Sequence, residues 1–177
     1  MTEPFEAAVQ QHGATVLRVC RAVLGPGPDA DDAWQETFLA ALRQWPELAP
    51  GTNVEAWLVR VAGRKAIDVL RARSRGAVPM ETLPERPPAD GTPGAGADGL
   101  WSLVASLPDR QRLAVAYHYL GGLPHAETAA LIGGSVEAVR RASSDGVRAL
   151  RRILDENEGT PNHTASALST GPRGPGR

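Results

Sequence analysis

Apolar residues recur at helical spacing through most of this chain, and strand-like alternation is scarce. Phe5, Val9, Val16, Val19, Cys20 and Val23 fit one helix face, which stops at Gly25-Pro26-Gly27-Pro28. A second helix is expected from Asp29 to about Trp45, where Pro46 ends it. A third follows Pro50-Gly51-Thr52, with Asn53 as N-cap, and runs to about Arg75. Beyond residue 100 a short helix is expected over 100–105, then one opened by Pro108 and closed by Gly121-Gly122 near Leu120. Pro124 opens another to about Ile132. Gly133-Gly134 makes a tight turn, and Ser135 caps a last helix to about Leu154.

Two stretches carry no period. Residues 76–99 are dominated by Gly and Pro and read as a linker. Residues 158–177 are similar in kind and read as a disordered tail. The expected architecture is all-α, with two small helical domains at 1–75 and 100–157 and no internal repeat.

Composition narrows the class. The apolar content of 42% among 177 residues suffices for a core. One Cys excludes a disulfide framework and a Cys-rich zinc site. No apolar run approaches the roughly 20 residues that span a bilayer. The first residues show neither a basic segment nor an apolar one, so no signal peptide is expected. The expectation is a soluble, cytoplasmic protein with no direct membrane association, no cofactor and no metal.

The net charge of −1 is an average over unlike segments. Residues 1–75 carry 9 basic and 9 acidic side chains, 76–99 carry 1 and 4, 100–157 carry 7 and 6, and 158–177 carry 2 and 1. Asp29, Asp31, Asp32 and Glu36 crowd the start of the second helix, where they complement the macrodipole. Asp32 and Glu36 lie one turn apart, yet nothing nearby completes a metal site, and a polar protein-contact face is the better expectation. On the third helix Arg60, Arg64, Arg71 and Arg75 fall within an arc of about 60°. Val54, Leu58, Val61, Ala62, Ala66 and Val69 occupy the other side, and Lys65 must snorkel from among them. Trp57 projects into the basic arc. Such a stripe suits a nucleic-acid backbone with an unstacked base nearby, or else is a solvated face with Trp57 packed at its rim.

Residues 125–154 form a helix-turn-helix candidate, whose second helix would enter a DNA major groove. Val136, Val139, Val147, Leu150 and Leu154 make its expected core stripe, with Ser143 at a position where a large apolar residue would continue it. Glu137, Arg140, Arg141 and Ser144 point elsewhere, and Arg148, Arg151 and Arg152 add positive charge.

These motifs, in this order, resemble an extracytoplasmic-function (ECF) sigma factor of the sigma-70 class. DADDAWQETFLAAL resembles the acidic-start helix of sigma region 2, and NVEAWLVRVAGRKAIDVLRARSR the helix that follows it. SLPDRQRLAVAYHYLGGLPHAETAAL and the next helix resemble sigma region 4. The resemblance implies a region 2 three-helix bundle and a region 4 helix-turn-helix joined by the Pro/Gly connector. It implies binding to core RNA polymerase through Asp32, Gln35, Glu36 and Phe38. It places Asn53, Trp57, Arg60, Arg64, Arg71 and Arg75, with the loop 49–53, at the minus-ten promoter element. Ser135, Glu137, Arg140, Arg141, Ser144 and Arg148 would read the minus-thirty-five element. Such proteins usually have an anti-sigma factor, often membrane-bound, as a further partner.

The chain departs from the family pattern at three places. Arg64 stands where many relatives carry Asn, Gly134 where an apolar residue is usual, and 142–146 is Ala-Ser-Ser-Asp-Gly where basic residues are typical. Asp145 repels phosphate, and interior Gly146 costs about 1 kcal/mol relative to Ala, so weakened minus-thirty-five recognition is expected. The rival reading is a helix-turn-helix regulator that acts without polymerase. The Gln35–Phe38 face speaks against it. A small helical enzyme is a third reading: His118 and His125 have no placed Ser or Asp partner, and Cys20 lies on an apolar stripe. No catalytic residue is expected.

Overall fold

A computed structural model describes residues 4–76 and 97–158. The expectations for 77–96 and 159–177 lie outside the described residues. Among the described residues seven α-helices follow in order: α1 (Phe5–Leu24), α2 (Pro28–Gln44), α3 (Val54–Gly76), α4 (Ala97–Ser106), α5 (Asp109–Val115), α6 (His125–Ile132) and α7 (Val136–Glu158). No strand occurs among those residues. The helix ends expected from Gly and Pro fall within a few residues of their places. α4 takes in three residues assigned above to the linker, 97–99, and α7 takes in Glu158, the first residue assigned to the tail.

α1, α2 and α3 pack as a three-helix bundle. Its centre is Val16, Val19, Cys20, Val23, Ala33, Leu58, Ala62 and Ala66, all buried. Trp34 locks α2 to α1 by donating its indole N–H to the Gly13 carbonyl at 2.9 Å. His12 meets Glu55 at 3.1 Å and ties α1 to the start of α3. At the far end Arg73 donates to Asp29 (Nε to Oδ2, 2.9 Å) and reaches the Leu24 carbonyl. A guanidinium there answers the negative end of α1 and one of the acids at the start of α2. Lys65 escapes the apolar side toward Glu36 of α2, at 3.7 Å.

α5 continues into a π-helical turn, Ala116–Leu120, closed by a bond from Gly121 N–H to the Ala116 carbonyl at 2.9 Å. The wider turn carries Tyr117, fully buried, into the seam between the two domains. There the domains share one core: Trp101, Val104, Leu107, Tyr117 and Leu123 join the α1–α3 cluster. The sequence pattern gives α3 a single apolar side. In the structure Val59 and Gly63, beside the arginine arc, are buried as well. A methyl group at Gly63 would lie 2.5 Å from Leu131 and 3.1 Å from Tyr117, and one at Gly121 2.6 Å from Val59. Glycine at both places lets the backbones approach.

Cys20 is a core residue. Burial, and then the charge of Asp31, push its thiol up to about 12. It should resist aromatic disulfide reagents at neutral pH in the native state and react once denaturant is added; rapid native-state labelling would contradict its placement.

In the second domain Ala114, Ala129, Val139 and Ala142 form a small separate cluster under α5, α6 and α7. Ser143 and Gly146 of α7 also face inward, whereas Leu154, expected in the stripe, is exposed. Gly146 brings α7 close to α5: an added methyl would sit 2.7 Å from Val115 Cγ2 and 3.3 Å from the Gln111 carbonyl. The Ser143 hydroxyl is buried with no hydrogen-bond partner. Helix propensity alone predicts that Ala stabilises both positions. Packing predicts opposite signs. Ser143→Ala should raise stability by about 1 kcal/mol, since an unsatisfied buried hydroxyl is removed. Gly146→Ala should lower it by about 1 kcal/mol, because overpacking against stiff Val115 outweighs the gain in propensity. Thermal unfolding of the two variants checks the pair.

Candidate nucleic-acid interface

The exposed face of α2 follows from its winding. At 100° per residue Asp32, Gln35, Glu36, Leu39, Leu42 and Arg43 share one side, and Phe38 points away from it. In the structure all six are exposed. Leu39 and Leu42 are 49% and 51% exposed, an unusual state for two leucines one turn apart. Phe38 is only 7% exposed and stacks among Phe5 and Trp34, with ring centroids 6.3 and 4.7 Å away. Phe38 thus lies beneath the exposed face that carries Asp32, Gln35 and Glu36, not on it. Apolar pattern alone counts the two leucines toward the buried side of the helix and so misses them. Their spacing from Asp32 and Glu36 is the signal that places them on the polar side.

At the start of α3 the Asn53 side chain accepts the Ala56 N–H at 3.0 Å, as an N-cap should. The loop before it turns on Thr52, whose hydroxyl donates to the Ala49 carbonyl at 2.7 Å, and on Gly51, which has φ of +80°. Trp57 packs on Trp45 with centroids 6.1 Å apart, and Trp45 packs on Phe5. Trp57 thus packs at the rim of the first domain and stays half-buried beside the arginine arc.

The four arginines do share one side, but their surroundings differ. Arg60 is one third exposed and pairs with Glu127 of α6 at 2.6 Å. Arg64 is exposed, beside a cleft lined also by Arg60, Glu127, Ala130 and Leu131. Arg71 is exposed and meets Asp68 at 3.8 Å. Arg71 and Arg75 edge a second cleft with Ile67, Leu70, Leu113 and Leu131. The stripe therefore runs along the seam between the domains.

The helix-turn-helix forms as expected. α6 ends at Gly133, whose N–H bonds the Ala129 carbonyl at 2.8 Å, and both turn glycines have positive φ, 84° and 89°. Arg110 fills the place of the missing apolar side chain at Gly134: it donates to the Gly133 carbonyl at 2.9 Å, and a methyl on Gly134 would collide with it. Ser135 caps α7 by accepting the Ala138 N–H at 3.1 Å. Glu137, Arg140, Arg141, Ser144 and Arg148 are all exposed and share an arc of about 100° with Arg151. Ala142, Ser143 and Gly146 face inward, so three of the five atypical residues in this stretch answer packing. Asp145 is drawn toward Arg148, at 3.4 Å.

His118 and His125 stack with ring centroids 3.7 Å apart, and His118 Nδ1 lies 2.7 Å from the Leu123 carbonyl. Burial, then His118 and Arg140, hold His125 below the ordinary imidazole value. Among the described residues no group of three or more His, Cys, Asp or Glu could hold a metal ion, and no helix is long and apolar enough to cross a membrane.

Comparison with known proteins places both halves. The sigma-70 region 2 family model matches residues 8–76, and the sigma-70 region 4 model matches 98–150. The ECF RNA polymerase sigma factor SigD of Mycobacterium tuberculosis is 39% identical over 153 residues, covering 80% of this chain and 71% of that one. ShbA of Streptomyces griseus, also an ECF sigma factor, is 34% identical over 156 residues, covering 79% and 82%. Among solved structures, the sigma factor RpoE in complex with the anti-sigma factor NepR, from Bartonella quintana, superposes with a TM-score of 0.65 over 85% of this chain and 96% of that one, at 18% identity. CnrH in complex with the cytosolic domain of CnrY gives 0.56 over 86% and 88%, at 25% identity. With both sigma regions present in order on one helical chain, this protein belongs to the ECF RNA polymerase sigma factors.

Proposed function

We propose that this sigma factor docks on core RNA polymerase through the exposed side of α2, and that Asp32, Gln35, Glu36, Leu39 and Leu42 form the contact. The observation that carries this is the pair of exposed leucines set among acids. A regulator acting on DNA alone has no use for such a face, so the polymerase-independent alternative is set aside. Arg60, Arg64, Arg71 and Arg75 then hold the backbone of the minus-ten element, with the loop 49–53 and Asn53 at their head. Melting needs no chemical catalysis. An unstacked base costs a few kcal/mol, which stacking and backbone contacts offset. We assign no catalytic residue, no cofactor and no metal, and a cytoplasmic location. The domain limits are those read from the sequence, 1–75 and 100–157.

Ser135, Glu137, Arg140, Arg141, Ser144 and Arg148 meet the minus-thirty-five element, and Arg110 and Arg151 stand in the neighbourhood of that face. Asp145 lowers its positive charge, and weaker minus-thirty-five recognition follows. The solved relatives RpoE and CnrH are held by NepR and CnrY, and an anti-sigma factor is the corresponding partner here.

Run-off transcription with core polymerase on genomic promoter fragments tests the whole reading, and a chain that starts no transcript and does not co-purify with polymerase would refute it. Leu39→Asp with Leu42→Asp should cut polymerase co-purification by about tenfold or more, a loss of roughly 1.4 kcal/mol or more, while leaving the melting temperature near that of the wild type. Replacing Arg60, Arg64, Arg71 and Arg75 by Ala should flatten the salt dependence of promoter binding by about 0.7 to 0.9 in slope for each phosphate no longer neutralised. An unchanged slope would make the stripe a solvated face only.

A further inference from the structure

We infer that Arg110 of α5 is the positioning residue of the recognition helix: through the Gly133-Gly134 turn it fixes the direction in which α7 presents its side chains to the minus-thirty-five element. This rests on the minus-thirty-five reading given above and goes beyond it.

Residues 133–135 join α6 to α7, and none of them sets the angle between the two helices with its side chain. Gly133 and Gly134 have none, and both take positive φ, 84° and 89°, where glycine is at its most permissive. The Ser135 hydroxyl is used within α7, as its cap. The packing beneath is thin as well: Val139 is the largest member of a cluster otherwise made of Ala114, Ala129 and Ala142. The turn is gripped from outside instead. Arg110 stands on the first turn of α5 and donates from Nη2 to the Gly133 carbonyl at 2.9 Å. That carbonyl lies at the C-terminal end of α6, where the helix dipole is negative, so the bond is charge-assisted. Gly134 is what admits the group. The guanidinium occupies the space that a Cβ of residue 134 would take, with its Cζ 3.1 Å from that point.

α5 thus holds α7 at the turn and again at Gly146, where a Cβ would lie 2.7 Å from Val115 Cγ2 and 3.3 Å from the Gln111 carbonyl. A grip at both places fixes the axis of the helix, whereas Gly146 alone leaves it free to pivot. Ser135 and Gly146 are eleven residues apart, which is about 16 Å along a helix. A pivot of about 10° around Gly146 therefore moves the N-terminal turn by about 3 Å, the full length of a hydrogen bond. Ser135, Glu137, Arg140 and Arg141 move with it.

Arg110 is exposed, and the other use of an exposed guanidinium is a direct bond to a DNA phosphate. A double-mutant cycle separates the two. Arg110→Ala removes the clamp. Gly134→Ala evicts the guanidinium from the turn but leaves its charge on the surface. Gly134→Asn does the same with a residue that tolerates positive φ, and takes its place if the alanine variant does not fold. The full-length wild type, each single variant and the double variant Arg110→Ala/Gly134→Ala are combined with core polymerase. Run-off transcription is measured on a genomic promoter fragment that the wild type uses, and on the same fragment with its minus-thirty-five element scrambled. Thermal unfolding is followed by circular dichroism. The readout is the ratio of the two transcripts, which a loss of stability alone leaves unmoved because it lowers both. Each single variant should lower that ratio about fivefold, the low end for one lost base contact, and the double variant should lower it no further. Output from the scrambled template should stay at the wild-type level. A wild-type ratio in either single variant overturns the proposal. So does a double variant whose loss is the product of the two single losses, the result expected when Arg110 and the turn act independently. A wild type that transcribes both templates equally refutes the minus-thirty-five reading itself, and the proposal falls with it.

Discussion

α3 has to be buried on two sides and wet on a third. Leu58, Ala62 and Ala66 face α1 and α2, while Val59 and Gly63 face the second domain. Between those walls runs the line of arginines. A helix of ordinary side chains cannot meet a neighbour so near a row of guanidinium groups without burying charge. A glycine removes that obstacle, because the partner's Leu131 and Tyr117 then reach the backbone below the level of the arginine side chains. The shared core, the position of the π turn and the pairing of Arg60 with Glu127 all follow from this approach.

The same economy of volume shapes the helix-turn-helix. Its own apolar cluster is small, Ala114, Ala129, Val139 and Ala142, and cannot hold three helices together by bulk. Close approach substitutes for size. Gly146 lets α7 settle against Val115 and the Gln111 carbonyl, and the Gly133-Gly134 turn admits the Arg110 guanidinium in place of an apolar side chain. Ala142, Ser143 and Gly146, atypical for a recognition helix, are thus inward-facing packing positions. Arg140, Arg141, Ser144 and Arg148 are left on the exposed side of the same helix.

Helices, turns and the order of the two domains are legible in the sequence because Gly, Pro and capping residues act locally. Asn53 and Ser135 cap the helices they are expected to cap. The stripe of four arginines is legible for the same reason, since 3.6-residue winding needs no tertiary information. What is not legible depends on partners distant in sequence. Val59 and Gly63 carry no local sign that a second domain will cover them. Phe38 resembles a contact residue by motif, yet it is drawn inward by Phe5 and Trp34 from two sides. Trp57 lies in the basic arc by winding, and Trp45, twelve residues earlier, captures it. Leu39 and Leu42 have no place in the motifs, although angular position beside Asp32 and Glu36 puts both outside.

The near-zero total charge acquires a structural meaning from these placements. Of the acids at the start of α2, Asp29 is held by Arg73 and Asp31 stands 3.8 Å from Arg21, so part of that cluster is neutralised within the bundle. Asp32 and Glu36 remain on the exposed side with two leucines. On α3 the pairing runs the other way: Glu127 and Asp68 each occupy one arginine of the stripe. Long-range attraction to DNA is therefore weak for the chain as a whole, and its exposed arginines are divided between the seam and one side of α7. The exposed side of α2, with its two leucines among acids, and the arginine line of α3 are thus chemically distinct surfaces of one small bundle.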